Sequence, residues 1–385
     1  MEKQNNKELL SYLMEQNAEL LKLIKKKDEV IEQLARAVTE GSVLAIDTIL
    51  DKPCKITFQE LSKEWVNDYA EKNHRGTTLY NEGHIVRRTN RTFGERYVDE
   101  ISAQELQAYV NSLSNVGANL RNGKPLSRKT IKNHFTYLSN VFSYAMQKKY
   151  IDENPCDVIQ IPKINGNGET MLPKDMQIYT KEQAKILLQK LGKAPFKYQI
   201  FFTLAVYTGL RRAELLGLEW SDFDFHKCTV QIRRTSNYTR ERGIYTDTTK
   251  TKTSQRTVGI TSDLAKLLIM YREYQKSEFQ ELVASGQKIV KTDRLFTQTN
   301  GNPMHPNTPY QWLKRMCRIN DLDFYGVHTF RHLNASLQIN AGVDTVSVAA
   351  TLGHSTPMTT LTIYSHCFSD AKNKSLNAVS TALDL

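Results

Sequence analysis

The sequence predicts a mostly helical chain with one small antiparallel β-sheet, an α+β arrangement spread over more than one domain. Three observations carry this. Apolar residues recur at three- and four-residue spacing from Thr57 to about Val158, and again after Leu264. Between these stretches "CTVQIRR", "GIYTDTT" and "QRTVGIT" alternate polar and apolar residues, as half-buried strands do. The chain has 385 residues, 40% of them hydrophobic, enough for two or three domains with real cores.

The elements follow in order. Residues 8 to 40 contain no Gly or Pro and read as one helix. Leu10, Asn17, Ile24, Ile31 and Val38 fall seven apart, and Leu13, Leu20, Lys27 and Leu34 interleave with them. Branched residues at one seam position with Leu at the other suit a parallel two-stranded coiled coil, and a single Asn fixes register. Self-association through residues 10–38 is expected, against packing of this helix on its own chain. Gly41 and Ser42 end it, and residues to about 50 are a connector.

Residues 51–160 read as a helical domain. Thr57 with Glu60, and Ser102 with Glu105, have the spacing of capping boxes. "SRKTIKNHFTYLSNVFSYAMQKKY" is amphipathic: Ile131, Phe135, Leu138, Val141, Phe142 and Ala145 share one face. Arg128, Lys129, Lys132, Lys148 and Lys149 lie on the other, and Arg87, Arg88 and Arg91 form a second basic group. Either face suits a DNA backbone; a merely solvated charged face is the competing reading. Three prolines and two close glycines in "NPCDVIQIPKINGNGETMLPKD" place a linker around residues 154 to 175, with its core at 161–175. Residues 176–385 form the last domain. Thr180 caps its first helix, "YQIFFTLAVYTG" is a buried helix ended by Gly209, and the strands follow.

Composition narrows the function. A net charge of +11 suggests a polyanion partner, nucleic acid being the commonest. No apolar run approaches the roughly 20 residues needed to span a bilayer, and "MEKQNNKELL" is unlike a signal peptide. The five cysteines are scattered with no C-x-x-C pair, which argues against a disulfide framework and a cysteine zinc site. A cytoplasmic location, at the bacterial nucleoid, is expected.

Four of nine histidines fall in "VHTFRHLNASLQIN" and "LGHSTPMTTLTIYSH". A metal site, a phosphate site and ordinary helical surface compete for them. His328 and His332 are i,i+4, but Thr329 stands where a helical zinc protease needs Glu, and Arg331 would set a fixed charge beside the ion. The phosphate reading uses Arg331, since a guanidinium forks onto two phosphate oxygens. Arg211 begins a helix after Gly209, with Glu214 three residues on to orient it, and Lys250 lies in a turn between two strands. Asp344 caps the helix ended by Gly353, Ser355 or Thr356 caps the next, and Pro357 opens it, so His354 lies in a tight turn with Tyr364 about two turns along.

From about residue 57 to 380 the chain resembles the tyrosine recombinase (phage integrase) family. "TGLRRAEL" is similar to its first arginine box, "KTKTSQRTV" to its K-T-x-x-S-x-R strand-turn, "HTFRH" to its H-x-x-R box and "LGHSTPMTTLTIYSH" to its closing box. The resemblance implies a SAM-like core-binding domain before the catalytic domain, the two closing around double-stranded DNA as a C-shaped clamp. It implies Arg211, Lys250, His328, Arg331, His354 and Tyr364 as catalytic residues, a 3′-phosphotyrosine intermediate, and a homotetramer on attachment-type sites with no cofactor and no metal. It implies the integration or excision of a prophage or conjugative element, with an excision or DNA-bending accessory protein as a further partner. A type IB topoisomerase or a chromosome-dimer resolvase is the alternative. One departure stands out: many mobile-element integrases begin with a small β-rich arm-binding domain, where this chain has the heptad helix.

Overall fold

The computed structural model describes residues 55–162, 178–248, 255–354 and 356–364, with scattered positions between Asn17 and Arg36. Chain contacts divide it into two compact units, Met1–Gly166 and Asn167–Leu385. Most of the predicted heptad lies outside the described residues. Those it includes, among them Asn17, Lys27 and Ile31, are helical and exposed.

The first unit is helical. Helix α1 (Phe58–Trp65) opens on the predicted capping box, Glu60 N–H donating to Thr57 Oγ1 while Thr57 N–H donates to Glu60. It continues through a π-helical turn at Val66–Ala70. Helices α2 (Gly76–Phe93), α3 (Ala103–Ser112) and α4 (Arg128–Gln147) follow. The second capping box, Ser102 with Glu105, starts α3. Ile131, Leu138, Val141, Phe142 and Ala145 are fully enclosed, as the spacing predicted, in one core with Phe58 and Leu106, and Phe135 is half-buried at its edge. The start of the proline- and glycine-rich stretch packs on this unit. Asn154 donates to Ser139 O and Ser143 Oγ on α4, Gln160 N–H donates to Gln107 Oε1 on α3, and Cys156 is buried, so residues 154–160 belong to this unit.

The second unit wraps helices around α6. Helix α5 (Lys181–Leu191) is capped by Thr180, and α6 (Phe196–Thr208) is apolar on nearly every side, with Ile200, Phe201, Phe202 and Leu204 at 0% exposure. A helix so enclosed needs partners all round. It gets them from α8 (Ser262–Ala284), α9 (Thr308–Ile319) and α10 (Thr329–Asn340). Trp312 stacks on Tyr198 at 4.2 Å, and Phe330 meets Phe202 at 5.2 Å. Short helices α7 (Arg212–Gly217), α11 (Thr345–Leu352) and α12 (Pro357–Tyr364) surround one end of this core.

The described strands form two sheets rather than the single one predicted. β1 (Phe223–Asp224), β2 (Thr229–Ile232) and β5 (Arg256–Gly259) make one in the order β1-β2-β5, and β3 (Arg234–Thr239) pairs with β4 (Gly243–Thr248) in the other. The cause is local closure. "GIYTDTT" finds its partner across the short Arg240–Arg242 turn, with Gly243 at φ +66, rather than in the more distant "CTVQIRR". That leaves β2 to pair with β5, opposing Val230 to Val258 in the core.

Candidate active site

The Gly209 turn at the end of α6 packs against α10 and the end of α11, and glycine makes the close approach possible. Gly209 caps α6 in the left-handed region at φ +61, and a Cβ there would stand 2.6 Å from both Asn334 Oδ1 and Leu352 Cδ2. The last carbonyls of a helix lack intrahelical partners. Here Asn334 Nδ2 donates to Val206 O and Tyr207 O, and Gln338 in turn donates to Asn334 Oδ1. This ties α10 to the end of α6.

The chain reverses at Gly209 and enters α7 at Arg211. An arginine offers no acceptor to cap a helix, so Glu214 reaches back instead. Its carboxylate accepts from Arg211 N–H at 2.9 Å and from Arg211 Nη1 at 2.8 Å. Arg211 Nη2 donates to Gly353 O at 3.0 Å. The side chain remains 38% exposed, while Glu214 is 2% exposed. Burial alone would raise the Glu214 carboxyl, but hydrogen bonds and charge from Arg256 and then Arg211 bring it below the usual carboxylate range.

Arg331 lies within α10 at 2% exposure and donates from Nη1 to Gly209 O at 2.9 Å. His328 is the residue before that helix, and its ring meets His332 edge-on at 4.8 Å. Burial first, then the charges of Arg331 and Arg211, push the His328 imidazole below its ordinary value. Burial and the neighbouring His328 push His332 down to about 4.

His354 sits in the turn between α11 and α12. Asp344 caps α11 by accepting from Val346 and Ser347 N–H, and Gly353 ends it at φ +67, as the sequence predicted. His354 N–H donates to Ala349 O, and its Nδ1 lies 2.7 Å from Thr360 Oγ1. Thr360 is fully buried on α12. Burial, then the charges of Arg331 and Arg211, push His354 down to about 4. The imidazoles are therefore neutral near pH 7 and each can exchange one proton.

The fold thus gathers Arg211, His328, Arg331 and His354. Tyr364 is the last residue of α12, and its side chain is not among those described. Lys250, between β4 and β5, lies outside the described residues. In the first unit Arg87, Arg91, Arg128, Lys129 and Lys132 are exposed, whereas Arg88 is turned inward and donates to Ala118 O at 2.8 Å. Among the described residues no three His, Cys, Asp or Glu side chains group as ligands for a metal ion. No helix among them is long and apolar enough to cross a membrane. Sequence reasoning missed Arg256 and Thr360. Arg256 is the arginine of "KTKTSQRTV", visible but without a role, and nothing in the sequence pairs Thr360 with His354.

Comparison with known proteins identifies the family and the fold. Residues 177–370 match the phage integrase family and residues 72–161 the phage integrase SAM-like domain. The ICEBs1 integrase of Bacillus subtilis (strain 168) is 28% identical over 271 residues, 70% of this chain and 68% of that protein. A XerC-like tyrosine recombinase of Caldanaerobacter subterraneus is 28% identical over 341 residues, 86% and 83% of the two chains. The Tn1549 transposon integrase, solved in complex with a circular intermediate DNA, superposes with a TM-score of 0.65 at 19% identity, covering 84% of this chain and 99% of that one. The chain belongs to the phage integrase family and is a tyrosine recombinase.

Proposed function

We propose that this chain integrates or excises a mobile DNA element by cleaving and rejoining strands through a 3′-phosphotyrosine on Tyr364. The observation that carries the reading is the cross-bracing of the two arginine boxes. Arg331 is held by the carbonyl of Gly209 and Arg211 by the carbonyl of Gly353, so two fixed cations stand beside His354 at the foot of the helix that ends in Tyr364.

A phosphodiester suits that arrangement. Arg211 and Arg331 bind the non-bridging oxygens and stabilise the charge that builds at phosphorus, the kind of contact commonly worth ~10²–10³ in rate. His354 donates from Nε2 when its Nδ1 accepts the Thr360 hydroxyl proton. Tyr364 Oη forms a bond to phosphorus as the bond to the 5′ oxygen breaks. The phenol has an ordinary pKa of about 10, and neutral His328 takes its proton or holds the phosphate. Lys250 gives a proton to the departing 5′ oxygen. The phosphotyrosine conserves the bond energy, and a 5′ hydroxyl of a partner duplex reseals the strand by the reverse steps. Exchanging both strands of two duplexes takes four cleavages, hence four protomers. The heptad helix at residues 10–38 suits pairing of those protomers, and loss of assembly on deleting residues 1–45 would test that.

The division into two compact units supports a helical DNA-binding domain before the catalytic domain. Arg87, Arg91, Arg128, Lys129 and Lys132 suit contacts to DNA phosphates, with Arg88 shaping the loop at Ala118.

The test is covalent trapping on nicked duplexes tiled across the DNA bordering the gene for this chain. A protein–DNA adduct that survives denaturation and is lost in Tyr364→Phe supports the reading. An adduct that persists in Tyr364→Phe refutes the assignment of the nucleophile.

A further inference from the structure

Glu214 receives two guanidiniums, and only one of them faces outward. Arg211 is 38% exposed, but the Arg256 side chain is 8% exposed and belongs to β5. Arg256 donates from Nη2 to Glu214 Oε2 at 3.0 Å and from Nη1 to Glu214 Oε1 at 3.3 Å. Its Nε turns the other way and donates to Thr351 O at 2.8 Å, in the last turn of α11. Two residues on, Gly353 lies directly against the same guanidinium: a Cβ there would be 2.8 Å from Arg256 Nη1 and 3.0 Å from its Cζ. One planar cation therefore touches the carboxylate that aims Arg211 and the turn that carries His354.

We propose that Arg256 is a positioning residue, which never touches DNA but sets the spacing between Arg211 and His354 and so the width of the phosphate clamp. This rests on the recombinase reading above. The geometry demands an arginine. A guanidinium offers donors in fixed directions within one plane, so it can fork onto Glu214 and still reach Thr351 O. A lysine keeps the charge and neutralises Glu214, but one ammonium cannot hold both sides. The position also matters because β5 and α11 are far apart in sequence: Arg211 links Glu214 to Gly353 O from the exposed side, and Arg256 braces the same pair from the buried side through Thr351 O.

The rival explanation is that Arg256 only neutralises a buried carboxylate so that the unit folds. A second is that it acts on the leaving group, through the β4–β5 connection that carries Lys250. Both are separated by single-turnover cleavage at saturating DNA with the full chain. Two nicked duplexes are compared: one with an ordinary scissile phosphate, and one with sulfur in place of the departing 5′ oxygen. Sulfur leaves without a proton, so a defect confined to leaving-group protonation disappears on it. A misplacement of about 1 Å in such a site commonly costs on the order of 10²-fold in rate.

Arg256→Lys is expected to keep the wild-type melting temperature and DNA affinity. It should slow adduct formation by roughly 10²-fold on both duplexes. Combined with Arg211→Lys, its effect should be far less than additive, since both act on one clamp. A wild-type rate in Arg256→Lys overturns the proposal, as does a defect that vanishes on the sulfur duplex or one that adds fully to Arg211→Lys. Should Arg256→Lys not fold, Glu214→Gln takes its place, because it keeps the shape of the acceptor and loses the charge that draws both guanidiniums; the same outcomes decide. Failure of the underlying reading looks different: wild type forms no adduct on any duplex, or Tyr364→Phe still forms one.

Discussion

Replacing Gly209 by alanine strikes the joint on which the two arginine boxes depend. Two effects add. At φ +61 a residue with a Cβ is disfavoured by about 1–2 kcal/mol relative to glycine. The new Cβ would also stand 2.6 Å from Asn334 Oδ1 and Leu352 Cδ2, and overpacking of this kind commonly adds about 1–3 kcal/mol. The lost freedom of the unfolded chain returns about 0.4–1 kcal/mol. Gly286 is the matched control, because it has φ +85 with nothing within 4 Å of its Cβ position and carries the first effect alone. A unit of this size melts about 2–4 °C lower per kcal/mol. Gly209→Ala should therefore lower the melting transition of the Asn167–Leu385 unit by roughly 2–18 °C, and Gly286→Ala by no more than about 6 °C. Differential scanning calorimetry of the full chain reads both. Adduct formation should fall only in Gly209→Ala, since Arg331 Nη1 donates to the carbonyl of that residue. Equal shifts in the two variants would refute the packing argument around Asn334 and Leu352.

Further predictions follow from the same contacts. Thr360→Val removes the partner of His354 Nδ1 while keeping the shape, so the protonated ring nitrogen should change in a ¹⁵N-histidine spectrum and cleavage should slow, with Thr360→Ser restoring both; an unchanged spectrum would sink the idea. Acid should destabilise the second unit through its histidines. His332 and His354 are pushed down to about 4 in the folded state, against about 6.5 unfolded, so the unfolded chain binds more protons between those values. Stability is thus flat from this source above pH 6.5 and lost as pH falls toward 4. His332→Gln should lose less melting temperature than wild type between pH 7 and 5; an equal loss would count against it. If Lys129 and Lys132 contact phosphates, each change to alanine should weaken DNA binding alike on all sequences. It should also reduce the slope of log affinity against log salt by about 1, and an unchanged slope would exclude that lysine.

Much of this molecule is written locally. The capping boxes at Thr57 and Ser102, the N-caps at Thr180 and Asp344 and the glycine stops at 209 and 353 were all legible because each is a bond or a backbone angle within a few residues. The apolar stripe of α4 was legible for the same reason, since a helix repeats its face every three to four residues. The boxes around Arg211, Lys250, Arg331 and His354 were legible as order and spacing along the chain.

The sequence by itself therefore determined the helices, their ends, the residue types brought to the chemistry and the family they belong to. Only the tertiary structure decided which strands pair, how residues 154–160 settle on the first unit, and what holds the site together. Pairing depends on the competition between near and distant strands, and the short turn before Gly243 won it for β3 and β4. The bonds that aim the site join residues 122 to 142 positions apart, Arg331 to Gly209 and Arg211 to Gly353, with Arg256 reaching Glu214 and Thr351 from a third element. Spacing along a chain encodes contacts one helical turn away. A guanidinium's partner across the core is fixed only when packing around α6 brings the carbonyl of a distant glycine within 3 Å.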